Sequence, residues 1–325
     1  MPTPNNVHDS LFRTVFSTPQ YAAGLLQIVL PPDVIAGLKL ETVEVLDGAH
    51  ISGELRTTAS DLVLRVERRL HGAESEPVYI ILAVEHQSTD DAFMTFRVLQ
   101  YSVRIWEKAR RDRPDLKRLP PVIPIVIHAG DTPWRSPTRF HDLLDLPRNA
   151  LGDALRPHLP DFEIVLEDLP TDTTERLRAA GGEPVSQTVL DIMKRARDPD
   201  VAALFHAWRQ HLEPIAREGG LVYQAILWYL LYASAVPLED LAAAAETLPN
   251  KVQNEMMTTA EQLTERGRQE GRQEALAGFL LRQFSTRFGS PSNEFRARIE
   301  TAPVADLERW LDLIVAGERP TDLFE

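Results

Sequence analysis

The order of apolar patterns along the first 140 residues predicts an α/β fold, a mixed sheet flanked by helices and followed by helical accessory regions. Three observations carry this expectation. SDLVLRVERRL (60–70) alternates apolar and polar residues with a period of two, as a half-buried strand does. VYIILAV and VIPIVIH are short, nearly continuous apolar runs of the kind that fill central strands. Between them, residues 91–113 place Phe93, Phe96, Val98, Tyr101, Ile105 and Trp106 at helical spacing.

The N-terminal segment HDSLFRTVFSTPQYAAGLLQIVL, from residue 8, has His8 and Asp9 preceding Leu11, Phe12, Val15 and Phe16 on one helical face. Pro19 separates a second helix, and Pro31 and Pro32 stop it because their nitrogens cannot donate. Residues near 50–56 read as a weak strand, 60–70 and 78–88 as two strands joined by the polar turn HGAESE, and 122–130 as a further strand closed by glycine. FEIVLEDLP reads as an edge strand. Helices are expected near 185–197, 200–212 and 219–234, with a short one reaching Leu248. From about 250 to 285 the pattern is one long polar helix containing the repeat ERGRQEGRQE, whose opposite charges pair at i,i+4. Two short helices follow, with Pro303 near their junction. Three regions result: a core over 1–140, an acidic and mostly helical accessory region over 141–250, and a helical tail over 251–325.

Composition narrows the chemistry. There is no cysteine among the 325 residues, which excludes thiolate nucleophiles, disulfides and cysteine-held metals. The nine histidines show no HExxH-type spacing. The net charge of -13 argues against coating nucleic acid by bulk attraction. That charge is uneven: residues 1–140 carry 17 acids and 16 bases, whereas 141–250 carry 18 and 9. A surface for a polyanion therefore belongs in the first 140 residues, and seven bases lie between Arg104 and Arg118 against three acids. The same bases also suit a helix C-terminus facing solvent. No basic and apolar leader opens the chain, and no apolar stretch reaches the length of a membrane helix. The expectation is a cytoplasmic protein with no membrane partner.

Acids stand where strands should be apolar. Asp61 opens one strand, and Glu85 and Gln87 close the best-defined one on a single face, since side chains two apart share a face. If 60–70 and 77–87 form a hairpin turning near residue 73, Asp61 and Glu85 meet at its open end. Two facing carboxylates repel unless protonated or bridged by a cation. Hard divalent ions take such oxygen ligands. A strand-opening acid and a loop-entering acid with no shared task is the plainer reading of the same spacing.

The succession HDSLFRTVFS, LRTTASDLVLRV, YIILAVEHQST, FMTFRVLQYSVRIWEK and PVIPIVIHAGDTPW resembles the recombination-promoting nuclease and putative transposase family. That family is assigned to the PD-(D/E)XK restriction-endonuclease-like superfamily. The similarity runs over about residues 7–250, and the tail resembles a small helical domain of unknown function attached to such proteins. The resemblance implies a restriction-endonuclease-like fold and Mg²⁺-dependent DNA endonuclease activity linked to recombination or mobile DNA, with Mn²⁺ as a substitute. It marks Asp61 and Glu85 as metal ligands and puts Gln87 where the superfamily usually has lysine. It makes Asp9 a candidate helix-borne acid of the site. The implied partner is double-stranded DNA, with a homodimer through the core or the C-terminal helices, since a double-strand cut needs two sites.

Lysine would stabilise developing phosphoryl charge, and neutral Gln87 does less of that. Arg97 is the better-placed substitute if its helix covers the sheet end, whereas Arg65 lies about 13 Å along the strand from Asp61. For Arg97 and Tyr101 two readings stay open: contact with phosphate or Gln87, or a core tyrosine beside an arginine capping a buried carboxylate. His128 is either a site residue or a satisfied core or surface histidine. The rival function is an inactive nuclease-fold protein acting as a DNA- or protein-binding module.

Overall fold

The computed structural model describes residues 7–46, 61–69, 76–85, 91–130, 132–169, 181–218, 220–246, 248–289 and 291–316. It divides into two compact units, Met1–Pro249 and Asn250–Glu325.

In the first unit a five-stranded sheet runs in the order β1 (Leu38–Leu46), β2 (Leu62–Arg68), β3 (Glu76–Glu85), β4 (Val122–His128) and β5 (Val165–Asp168). β1, β2 and β3 pair antiparallel, whereas β4 and β5 add in parallel. This is the mixed α/β sheet expected from the sequence. β3 is its centre: Ile80, Ile81, Leu82 and Ala83 have no exposed surface, as a strand covered on both faces requires. The parallel β3–β4 step needs a crossover, which α4 (Met94–Asp112) supplies. Met94, Val98, Tyr101 and Ile105 form its buried stripe and pack on Ala83, Val126, Val63 and Ile81. The residues of β2 to β4 that share this face are thereby fixed.

Helices α1 (Val7–Phe16), α2 (Pro19–Val29) and the short α3 (Pro32–Ala36) precede the sheet. Pro19 opens α2 at its first turn, where its missing N–H costs nothing. α2 packs against β1 and against α6 (Pro184–Arg195), and the latter approach is close. A Cβ on Gly24 would lie 2.6 Å from the Glu183 side chain and 2.7 Å from Ser186 Oγ, so only glycine fits there. The Ser186 hydroxyl uses that proximity to donate to the Tyr21 carbonyl at 2.9 Å. A single turn, α5 (Ala150–Leu155), lies between β4 and β5.

After α6 come α7 (Val201–Glu218), α8 (Leu221–Ala233) and α9 (Leu238–Ala245). Trp208 of α7 donates its indole N–H to the buried Asp191 of α6 at 2.8 Å, giving that carboxylate a partner. α8, expected as a helix near 219–234, buries Tyr223, Ile226, Leu227, Trp228, Tyr229 and Leu230 and packs on α1.

Two elements differ from the sequence reading. β1 was not anticipated, and the weak strand near 50–56 lies outside the described residues. β1 escapes a period-two reading because its register shifts between Lys39 and Glu44, a bulge. There Thr42 donates to the Lys39 carbonyl at 2.6 Å and accepts from the Glu67 N–H at 2.9 Å.

The second unit holds α10 (Asn250–Phe288), α11 (Asn293–Thr301) and α12 (Val304–Ala316). Leu280, Phe284, Ile299, Leu307, Trp310 and Ile314 make its core. Gln273 donates to the Ala302 carbonyl at 2.8 Å and so satisfies a group at the end of α11. Among the described residues no helix is long and apolar enough to cross a membrane.

Candidate active site

The carboxyl ends of β3, β4 and β5 form one rim of the sheet, and β2 begins there. Leu62 stands opposite Leu82, so Asp61, one residue further out, falls opposite Ala83. Glu85 follows two residues later on the same face. The hairpin register is thus displaced by two residues from the one estimated from the sequence. Parity is preserved, and Asp61 and Glu85 remain on one face as a diagonal pair. Such pairs have Cα atoms about 7–8 Å apart. The Glu85 side chain and all of Gln87 lie outside the described residues.

Asp61 is 6% exposed, a low value for an acid. The Tyr101 hydroxyl of α4 donates to its Oδ2 at 2.8 Å. Burial disfavours a bare carboxylate, and a phenol donor offsets part of that cost while fixing the carboxylate's orientation. Tyr101 reaches it because α4 packs across the face that carries Val63 and Ile81. Of the two readings open for the Arg97–Tyr101 pair, the tyrosine touches the carboxylate. Arg97 pairs with Asp91 at 3.2 Å, and Asp91 also accepts the Phe93 N–H at 2.8 Å at the start of the helix. Arg65 is engaged by Glu67 at 2.6 Å and Glu44 at 3.5 Å.

Asp9 lies in the first turn of α1. Its neighbour His8 meets Tyr229 of α8, with Nδ1 3.1 Å from the hydroxyl and the two rings edge to face. Burial pushes the Tyr229 phenol well above its usual range, so it stays neutral, with the charge of Arg197 opposing the shift.

The next strands continue the row. His128 is the register partner of Glu85, and Asp168 is the register partner of His128. His128 is 2% exposed, and its Nδ1 lies 2.7 Å from Asp168 Oδ1. The second Asp168 oxygen accepts the Trp134 backbone N–H at 3.2 Å. The Trp134 ring stands edge-on to the imidazole, its own N–H bonded to the Ser136 carbonyl at 2.8 Å. Sequence reasoning did not single out Asp168. The only signal was the two acids that close FEIVLEDLP, of which the second falls in register with a histidine.

By residue type Asp61 and Glu85 are the hard oxygen donors a divalent cation takes, and the chain has no cysteine to offer a thiolate; among the described residues no group of three or more such ligands comes together. The basic stretch on α4 is exposed, and two of its members pair along the helix, Arg104 with Glu107 and Lys108 with Asp112, each at 3.0 Å.

A mixed sheet whose rim gathers acids under a crossover helix is a nuclease-like architecture, and comparison with known proteins agrees. A family model described as "Putative transposase, YhgA-like" matches residues 6–219, and the chain belongs to that family. Recombination-promoting nuclease RpnD of Escherichia coli O157:H7 is 31% identical over 136 residues, 41% of this chain and 50% of the relative. The inactive recombination-promoting nuclease-like protein RpnE of Escherichia coli K12 is 29% identical over 149 residues, 46% of this chain and 48% of the relative. A shorter K12 protein named as a putative inactive member, YjiP, is 31% identical over 103 residues, 32% of this chain and 95% of the relative. The chain spans about half the length of the first two relatives it matches. No solved structure matches.

Proposed function

We propose that the chain is a metal-dependent DNA endonuclease whose site is the Asp61–Glu85 rim. The observation that carries this reading is a buried Asp61, held by Tyr101, on the same face as Glu85 and one diagonal step away. In this reading Asp61 and Glu85 hold Mg²⁺, with Mn²⁺ as a substitute. The ion supplies a polarised phosphoryl oxygen and a more acidic attacking water.

The chain's own groups do the rest. Tyr101 fixes the Asp61 carboxylate, so that no reorientation is needed when substrate arrives. Gln87 orients water or a phosphate oxygen through its amide, which can donate and accept but cannot take a proton at neutral pH. Arg97, bound to Asp91 at the start of α4, and the exposed bases further along that helix face the charge of the DNA backbone. Asp9 remains a candidate third acid. The partner is double-stranded DNA, and two copies would supply the two cuts.

A second reading has its own support: two of the relatives are named inactive, and Gln87 replaces the usual lysine. In it the same fold binds DNA or protein without cutting. Calorimetric titration with Mn²⁺ separates the two. The endonuclease reading expects one site that disappears in Asp61→Ala and in Glu85→Ala. Wild-type protein without a Mn²⁺ site that needs those acids would refute it.

A further inference from the structure

The start of α4 carries two phenylalanines that the core does not use. Phe93, the residue that caps the helix, is 62% exposed and Phe96 is 46% exposed, although both fall in the helical apolar pattern of residues 91–113. Between them Met94 has no exposed surface and packs with Ala83 and Val126, each two residues short of the rim positions Glu85 and His128. The pair therefore stands beside the rim. Its backbone is held there, because Asp91 accepts the Phe93 N–H at 2.8 Å and pairs with Arg97 at 3.2 Å. Large apolar side chains left together in water at a fixed place mark a contact surface.

What shares their face points to the occupant. Arg104 and Arg111 follow Phe93 after eleven and eighteen residues, and Val103 and Arg110 follow Phe96 after seven and fourteen. These intervals are close to whole turns of 3.6 residues, so all six side chains lie on the outward face, and all six are exposed. α4 holds five bases, Arg97, Arg104, Lys108, Arg110 and Arg111, against Glu107 and Asp112, in a chain whose net charge is -13. On its inner face the same helix carries Tyr101, which holds Asp61 five residues, or about 7.5 Å of helix rise, beyond Phe96. A DNA strand whose phosphates follow the bases and whose scissile group reaches Asp61 brings its nucleobases to the aromatic end. Aromatic rings beside a cationic track hold single-stranded nucleic acid by stacking, whereas a paired duplex keeps its base faces in its own stack.

We propose that Phe93 and Phe96 are a stacking platform for unpaired nucleobases, and that the Asp61 rim takes DNA with unpaired bases beside the cut in preference to perfect duplex; this rests on the endonuclease reading, which puts the cut at that rim. The bases of α4 hold the backbone without regard to sequence. The rings accept any base, since every base has a π-face, so the selectivity is for unpaired structure.

Fluorescence anisotropy of the full chain tests this, in buffer without divalent ions, with a labelled duplex and with the same duplex carrying a short run of mismatched thymines. Wild type is expected to bind the mismatched duplex more tightly. Phe93→Ala/Phe96→Ala should bind it about 10- to 100-fold more weakly and change little on the perfect duplex. Phe93→Trp/Phe96→Trp keeps the rings and should keep the preference. Both side chains are exposed, so thermal midpoints should stay near wild type, and the salt slope should hold because no charge is removed. Absence of a preference in wild type would overturn the proposal, as would an alanine variant that loses nothing or loses equally on both duplexes. Sedimentation velocity showing that the alanine variant turns a dimer into a monomer with its DNA preference intact would also overturn it, giving the pair to contact between copies. The endonuclease reading fails separately, if Asp61→Ala cuts plasmid as wild type does.

Discussion

Tyr101 and Asp61 lie 40 residues apart in sequence and 2.8 Å apart in space, a phenol on the crossover helix bonded to a buried carboxylate at the sheet rim. The bond links the fold to its chemistry. α4 must be present to cover the parallel β3–β4 step, and its buried stripe carries one polar tip that reaches the acid. The tyrosine ring is core, and its hydroxyl meets the buried carboxylate.

Tyr101→Phe keeps the ring and removes the donor. A hydrogen bond to a charged group contributes about 1.5–3 kcal/mol, and a fall in urea stability of that order is expected. Cleavage in Mg²⁺ should fall by about 10- to 100-fold, because Asp61 is no longer held in place. Parallel urea unfolding and plasmid-nicking rates check both.

The fold was largely legible because its signals are local. Continuous apolar runs marked β3 and β4, and the helical spacing of Val98, Tyr101 and Ile105 marked the crossover between them, although Phe93 and Phe96, read as part of the same pattern, are exposed and Met94 is buried at that end of the stripe. β1 was missed because its bulge at Lys39–Glu44 breaks the alternation and leaves Leu38 and Val43 as its buried apolar residues. The Asp61–Glu85 pairing was readable to within two residues, since turn symmetry fixes parity better than register. Tyr101 was visible as a neighbour of Arg97 at i,i+4, but which of them meets the carboxylate depends on the rotation of α4 over the sheet. The His128–Asp168 pair was least legible. It depends on a parallel pairing across the 36 residues between β4 and β5, and nothing in either segment states that register.

Basic residues at the C-terminal end of α4 and just beyond it should govern the salt dependence of DNA binding. Each phosphate contact contributes about -0.9 to the slope of log K against log salt. Replacing Arg110, Arg111 and Arg113 together by alanine is expected to flatten that slope by about 2–3 while leaving the thermal midpoint near wild type. Fluorescence anisotropy with a duplex oligonucleotide, in buffer without divalent ions, measures it. An unchanged slope would remove this helix from the DNA surface.

Arg139 braces the approach to β5, where Arg139 and Glu163 form an isolated bridge. Its guanidinium hydrogen-bonds the Asp161 carboxylate and holds it below the usual carboxylate range, with the charge of His141 adding to the effect. A carboxyl group with a lowered folded-state pKa stabilises the protein above its unfolded-state pKa. That stabilisation is lost as pH falls through the folded-state value. The urea midpoints of wild type and Asp161→Asn should therefore differ most near neutrality and converge in acid. The pair is solvent-exposed, so the gap is small and shrinks with salt.

Trp310 closes the core of the second unit against Leu280, Phe284 and Leu307. Trp310→Ala should cost about 3–5 kcal/mol through lost burial and the cavity left behind. Amide exchange is expected to rise across α11, α12 and the C-terminal half of α10, with the amides of β2–β4 keeping their protection.

The central claim is that Asp61 serves a divalent ion at a DNA-cutting site. Asp61→Asn preserves shape and the ability to accept from Tyr101 while removing the charge. Supercoiled plasmid incubated with wild type and Asp61→Asn in Mg²⁺, Mn²⁺ or EDTA gives the most direct test. Conversion to nicked and linear forms by wild type in either metal, and by neither protein in EDTA, with Asp61→Asn inactive throughout, is the result the account predicts. Equal cutting by the two proteins, or cutting by wild type in EDTA, would contradict it.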